Sequence, residues 1–224
     1  MPLDPESLHD LDWLNKKASD AFFEEAPRYP EIADLIAALH PRWLLDVGCG
    51  SGYTAKLLKS RVPGLVIHGV DISSVALQRA RAHVDQVWRV DLDKGVLPVT
   101  SAQYDTVTCI EVLEHLYDPD HALQEIARVL VPGGHAVLTV PNLAYWRFRL
   151  QLLRGRVPPP AADRRHLHQF DMRLLVDTLS RAGLQPVRIT GHGLRLRWIA
   201  SRRPALFSDI LIATVVKAAP EPAG

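Results

Sequence analysis

The stretch "LLDVGCGSGYTAKLL" (44–58) sets three glycines at alternate positions between an apolar run and a segment patterned as a helix. Glycine takes positive φ without a Cβ penalty and lets the backbone pass close to another group, so a strand ending here can turn sharply beneath a ligand. The following helix points unpaired N–H groups at the same spot, which suits an anion. The rest of the chain decides which fold this turn serves.

From residue 43 to about 140, short β-branched runs alternate with helical patterns, the signature of βαβ units and a parallel sheet. The runs are "WLLDVG" (43–48), "LVIHGV" (65–70), "QVWRV" (86–90), "YDTVTCI" (104–110) and "HAVLTV" (135–140), with helices expected over 52–60, 73–83 and 119–130. The last is well punctuated, opening on Asp118 and Pro119 and stopping at "VPGG". Two more strands, "PVRITGH" (186–192) and "DILIATVVK" (209–217), follow an amphipathic helix "MRLLVDTLSRAG". The expected fold is therefore α/β with seven strands, five of them parallel. Residues 1–42 read as a helical extension, 43–218 as the sheet domain, and the Pro- and Ala-rich 219–224 as a frayed tail. The three prolines of "GRVPPPAADRR" (155–165) predict an extended loop over the active face.

A chain of 224 residues buries enough surface to hold together without disulfides or a structural metal. Its two cysteines, Cys49 and Cys109, form no CxxC pair, which points to a reducing, cytoplasmic setting. The acidic start "MPLDPESLHDLDWL" lacks signal-peptide features, and "ILIATVV" is far short of the roughly 20 apolar residues of a membrane span. The net charge of +1 hides an asymmetry: residues 147–203 carry thirteen Arg against Asp163, Asp171 and Asp177. That segment is +10 and the remainder −9, a distribution that fits either an acidic partner or a solvated basic face.

In an open α/β sheet, ligands bind beyond the carboxyl ends of the strands where the strand order reverses, and the glycine turn would sit there. Its GxGxG spacing departs from the GxGxxG of dinucleotide enzymes, which disfavours a nicotinamide-dependent epimerase or reductase, as does the lack of a Tyr-xxx-Lys pair. Asp71, ending the second strand 23 residues after Gly48, can accept from a ribose hydroxyl pair. Asp91, ending the third, can accept from an adenine amino group with Leu92 against the ring. Singly each acid also reads as a turn or cap residue. Together behind the glycine turn they specify much more.

With "LLDVGCGSG", "VDIS", "VDLD", "YDTVTCIEVLEHLYDPDHALQEIARVLVPGGHAVLTVPN" and "DRRHLHQF" in this order, the chain resembles the class I S-adenosylmethionine-dependent methyltransferases over most of residues 43–175. Within them it resembles the methyltransferase type 11/12 and methionine-biosynthesis W-like branch. The resemblance implies a Rossmann-like three-layer sandwich whose seven-stranded, mostly parallel sheet has an antiparallel last strand. It implies S-adenosylmethionine as cofactor, with Asp46, Gly48, Cys49 and Gly50 at its methionine end, Asp71 at the ribose, Asp91 and Leu92 at the adenine, and Ile72 and Glu111 also in contact with it.

Methyl transfer to an already activated sulfonium depends chiefly on positioning. The best catalytic candidate is His115 of "EVLEHL", whose imidazole can deprotonate a hydroxyl near neutral pH. On a helix, Glu111, Glu114 and His115 would share a face. No metal is expected; the alternative is a divalent ion held by these three with His168 or His166, similar to metal-dependent small-RNA and quinone O-methyltransferases. The Arg-rich insert at about 143–170 reads either as a cap helix docked by Trp146, Leu150 and Leu153, or as Tyr145, Trp146 and arginines meeting an anionic or lipid-linked acceptor or an acidic lipid surface. "LRLRWIASRR" (194–203) adds a second basic-apolar patch, and no nucleic-acid module is evident. The expected function is methyl transfer to a small-molecule or glycan-precursor oxygen. Its rival is a cofactor-binding regulator of an enzyme partner that catalyses nothing itself.

Overall fold

The computed structural model describes residues 9–11, 13–14, 28–192 and 202–218. Strands β1 (Trp43–Val47), β2 (Val66–Asp71), β3 (Gln86–Arg89), β4 (Tyr104–Ile110), β5 (Leu130–Pro141), β6 (Leu184–His192) and β7 (Ile210–Lys217) form one sheet in the order β3-β2-β1-β4-β5-β7-β6. The first five are parallel, and β7 runs antiparallel between β5 and β6. The chain works outward from β1 to β3, then returns to lay β4 against the other side of β1. That reversal opens a crevice beyond Val47 and Ile110.

The central strands are apolar-rich without strict alternation because both faces of the sheet are covered. On one face Leu44, Ile67, Val137 and Ile212 pack under α1 (Arg28–Ala37), α2 (Tyr53–Arg61) and α3 (Ser74–Ala80). On the other, Leu45, Val70, Val107 and Leu138 pack under α4 (Pro119–Val129) and, beyond the insert, the helix Met172–Arg181. Three layers result. Side-chain caps set the helix starts: Ser73, Asp118 and Asp171 accept from the backbone N–H of Ala76, His121 and Leu174, at 3.1, 3.0 and 2.9 Å. Each such cap is worth about 1 kcal/mol.

Two expectations fail for local reasons. The proline-rich segment is not extended throughout, because Pro159–Ala162 forms one helical turn, α6, with prolines in its first positions where no N–H is needed. Residues 111–115 do not form an α-helix either. Glu111 sits at the end of β4 with φ +56°, and only Leu113–His115 coil, as a 3₁₀ turn. The insert between β5 and Met172 comprises α5 (Trp146–Leu153), α6 and a loop whose Phe170 bridges back to Asn142; α7 is Met172–Arg181 and α8 is Pro204–Phe207. The frayed ends expected at 1–7 and 219–224, and most of the patch at 194–203, lie outside the described residues.

Candidate active site at the sheet reversal

The glycine turn is pinned to β2. Gly48 and Cys49 donate their N–H groups to the Val70 carbonyl at 2.8 and 3.0 Å, and Gly50 donates to Asp71 Oδ2 at 2.9 Å. Gly48 has φ +71°, and a Cβ there would overlap the Val112 side chain; a Cβ on Gly50 would lie 2.9 Å from the Trp13 ring. The turn therefore requires glycine for close approach on both sides. Asp71 Oδ1 accepts from Ser73 N at 2.9 Å, so one carboxylate ties the turn after β1 to the turn after β2. Burial raises its pKa.

Asp46, one residue before the end of β1, is 2% exposed and accepts from Thr108 Oγ1 at 2.7 Å. Burial pushes its pKa to about 7, against the lowering effect of that bond. Asp91 accepts from Asp93 N at 3.0 Å and faces Lys94 at 3.7 Å, with Leu92 buried beside it. Ile72 borders the same space while its carbonyl accepts from Arg89 Nε. Cys49 is buried, and burial holds its thiol well above the usual range, so it contributes shape rather than a thiolate nucleophile.

On the β4 side, Glu111 Oε1 accepts from Thr139 Oγ1 at 3.0 Å and Oε2 lies 3.9 Å from Arg28. Glu114 is 1% exposed, and neither carboxylate oxygen has a hydrogen-bond partner among the described residues. Burial, then the charge of Glu111, raise its pKa well above the carboxylate range. Its backbone carbonyl accepts from Leu167 and His168 N–H at 2.7 and 3.1 Å, which draws the insert loop onto the 3₁₀ turn. His115 and His166 meet edge to face, 4.8 Å between ring centres. Each uses Nδ1 on a carbonyl, Arg165 at 3.1 Å and Pro160 at 3.0 Å. A carbonyl only accepts, so each Nδ1 carries a proton and points its ring's Nε2 away from that carbonyl; His166 Nε2 lies 3.8 Å from Asp163 Oδ2. Burial lowers the His115 pKa, favouring the neutral ring. Glu114, His115 and His166 present ligand atoms within 4.8 Å of one another. Glu111 and His168 stand outside that group, His168 Nε2 lying against the Tyr117 carbonyl at 3.3 Å.

The amino-terminal residues supply a wall not expected from sequence. Asp10 accepts from Ser73 and Ser74 hydroxyls at 2.6 and 2.7 Å, Arg79 donates to the Trp13 carbonyl, and Trp13 covers Gly50. Arg28 and Tyr29 of α1 join them. The readable signal was Asp10 and Trp13, three apart and hence on one helix face. These walls enclose a cavity of about 790 Å³ that includes Asp46, Gly48, Cys49, Gly50, Asp71, Ile72, Asp91, Leu92, Glu111, Glu114, His115 and His166. Tyr145, Trp146 and Arg147, Arg154 and Arg156 of the insert do not line it.

A parallel sheet with a glycine-floored cavity at its reversal, and carboxylates at successive strand ends, defines a nucleotide-binding α/β protein of the Rossmann-like class. More narrowly, a methyltransferase-domain family model matches residues 22–189, and the chain belongs to that family. A ubiquinone biosynthesis O-methyltransferase of Alkalilimnicola ehrlichii is 36% identical over 120 residues, covering 51% of this chain and 48% of the relative. A "Probable S-adenosylmethionine-dependent methyltransferase" of Mycobacterium tuberculosis is 31% identical over 183 residues, 81% of this chain and 63% of the relative. The chain thus spans about half the length of the first of these. Among solved structures, a chain of the Haloferax volcanii complex between the Trm112 methyltransferase activator and a methyltransferase superposes with TM-score 0.65 at 22% identity, covering 92% of this chain and 96% of that one. This last likeness is one of fold. No helix among the described residues is long and apolar enough to cross a membrane.

Proposed function

We propose that this chain is an S-adenosylmethionine-dependent methyltransferase acting on an oxygen of a small-molecule acceptor. The observation that carries it is the convergence on one cavity of the glycine turn and of Asp46, Asp71 and Asp91 from the ends of three consecutive strands. The names of the relatives support both the cofactor and the oxygen. The residues fit the cofactor: a Cβ at Gly48 or Gly50 would crowd the cradle, the volume is in the range of ligand sites, and buried carboxylates suit a cationic methionine end.

In this reading Asp46 faces the amino group, Asp71 the ribose hydroxyls, and Asp91 with Leu92 the adenine. When bound, the cofactor supplies a methyl group already activated on sulfur. Alignment of the acceptor within the enclosed cavity then contributes on the order of 7 kcal/mol or more. His115, neutral and with its Nε2 lone pair free, takes the hydroxyl proton. Labelled S-adenosylmethionine incubated with fractionated extract tests this. Label on an acceptor oxygen supports it. Cofactor binding without transfer to any fraction favours the regulator.

A second reading rests on one arrangement: a buried carboxylate with no hydrogen-bond partner among the described residues, beside two imidazoles whose Nδ1–H groups are already held by carbonyls. Such carbonyl contacts commonly orient metal-bound histidines, so Glu114, His115 and His166 would hold a divalent ion that gathers acceptor oxygens. In that case His115 is a ligand rather than a base. Turnover unaltered by chelator rejects the ion.

A further inference from the structure

Helix α5 and the turn after it leave an apolar, cationic ridge in solvent. Trp146, Phe148 and Leu150 are half-buried, whereas Leu152, Leu153 and Val157 are 51%, 84% and 65% exposed. Single exposed leucines are ordinary, but here three large apolar side chains fall within six residues and flank Arg154 and Arg156. From 147 to 162 there are four arginines and no acid. Arg147 lies over the Trp146 ring and Arg149 donates to the Ala144 carbonyl, while among the described residues no carboxylate pairs with Arg154 or Arg156. The exposed apolar groups and the cations thus occupy one short, continuous stretch.

We propose that this ridge docks on an anionic lipid surface, independently of the methyl-transfer reading. Leu152, Leu153 and Val157 would enter the boundary between headgroups and acyl chains, and Arg154 and Arg156 would pair with lipid phosphates through their planar guanidinium forks. A stable protein interface needs about 800 Å² per partner with matched relief. Three side chains on a projecting turn are better suited to shallow insertion, where the partner is fluid and conforms to them. The same insert contributes Asp163, Arg165 and His166 to the cavity wall, so docking brings the lipid surface to a segment that borders the cavity.

Co-sedimentation with vesicles tests this, using the full chain on phosphatidylcholine alone and on phosphatidylcholine mixed with phosphatidylglycerol. Binding to the mixed vesicles should exceed that to the neutral ones by tenfold or more and weaken as salt rises from about 50 to about 300 mM. The double variant Arg154→Gln/Arg156→Gln should lower partitioning by about 20-fold. Leu153→Glu should abolish most of it. The substituted side chains are exposed, so unchanged melting temperatures separate docking from misfolding. Equal binding to both vesicle types, no binding by the wild type, or variants that bind like it would overturn the proposal. So would retention on polyglutamate without vesicle binding, which would assign the ridge to an acidic macromolecule.

Discussion

Asp46→Asn should make the protein more stable and its cofactor site worse. The Asp46 carboxyl is buried with one described side-chain hydrogen bond, from Thr108, and its pKa rises from 3.8 to about 7 on burial. A folded-state pKa above the unfolded one means that the folded protein holds the proton more tightly. The neutral carboxyl is tolerated at low pH, and stability is lost as pH rises from about 4 through 7. At about 1.4 kcal/mol per unit, the loss reaches roughly 4 kcal/mol by pH 7.5 and then levels off. Asparagine keeps an oxygen for Thr108 and never ionises. The variant should therefore exceed the wild type by about 1 kcal/mol at pH 4.5 and about 4 kcal/mol at pH 7.5 in urea unfolding. Its affinity for S-adenosylmethionine should fall at least tenfold, since a charge-assisted bond to the amino group is lost. A variant less stable than wild type at pH 7.5 would show that Asp46 is not strained by burial, and one that binds as tightly that it is not in contact with the ligand.

Three further outcomes follow from the same geometry. Asp71→Ala leaves the N–H groups of Gly50 and Ser73 without their acceptor, so the Kd for S-adenosylhomocysteine should rise tenfold or more by calorimetry; a change under twofold removes the assigned role. Gly48→Ala combines a left-handed backbone with overlap on Val112, and should cost about 2–4 kcal/mol, read as a melting temperature lower by about 5–15 °C. Asp10→Ala releases the contact with Ser73 and Ser74 and should raise the same Kd about 3–10-fold while moving the melting temperature little; equal affinity would show that this wall does not cover the ligand.

The sheet was legible in sequence because parallel strands covered on both faces are rich in apolar residues on both, and 44–47, 67–70 and 107–110 are buried at every position with only Asp46, His68, Gly69 and Thr108 breaking the apolar pattern. The reversal site was legible because its glycines and strand-end acids are local features. What sequence could not show were contacts between distant segments. A helix after β4 would have put Glu111, Glu114 and His115 on one face, but Thr139 holds Glu111 at positive φ and only a 3₁₀ turn follows, so the shared face dissolves. His166 rather than His168 meets His115, because Leu167 and His168 spend their N–H groups on the Glu114 carbonyl. Trp13 closes on Gly50 across a chain separation that no local pattern encodes.

The proposed function requires that the cavity beneath the β1 turn hold S-adenosylmethionine. Titration of the wild-type chain with S-adenosylhomocysteine by calorimetry tests it most directly. Saturable binding at one site is expected, displaced by S-adenosylmethionine and weakened tenfold or more in Asp71→Ala. The absence of any binding heat at millimolar ligand, with the protein shown to be folded, would contradict it.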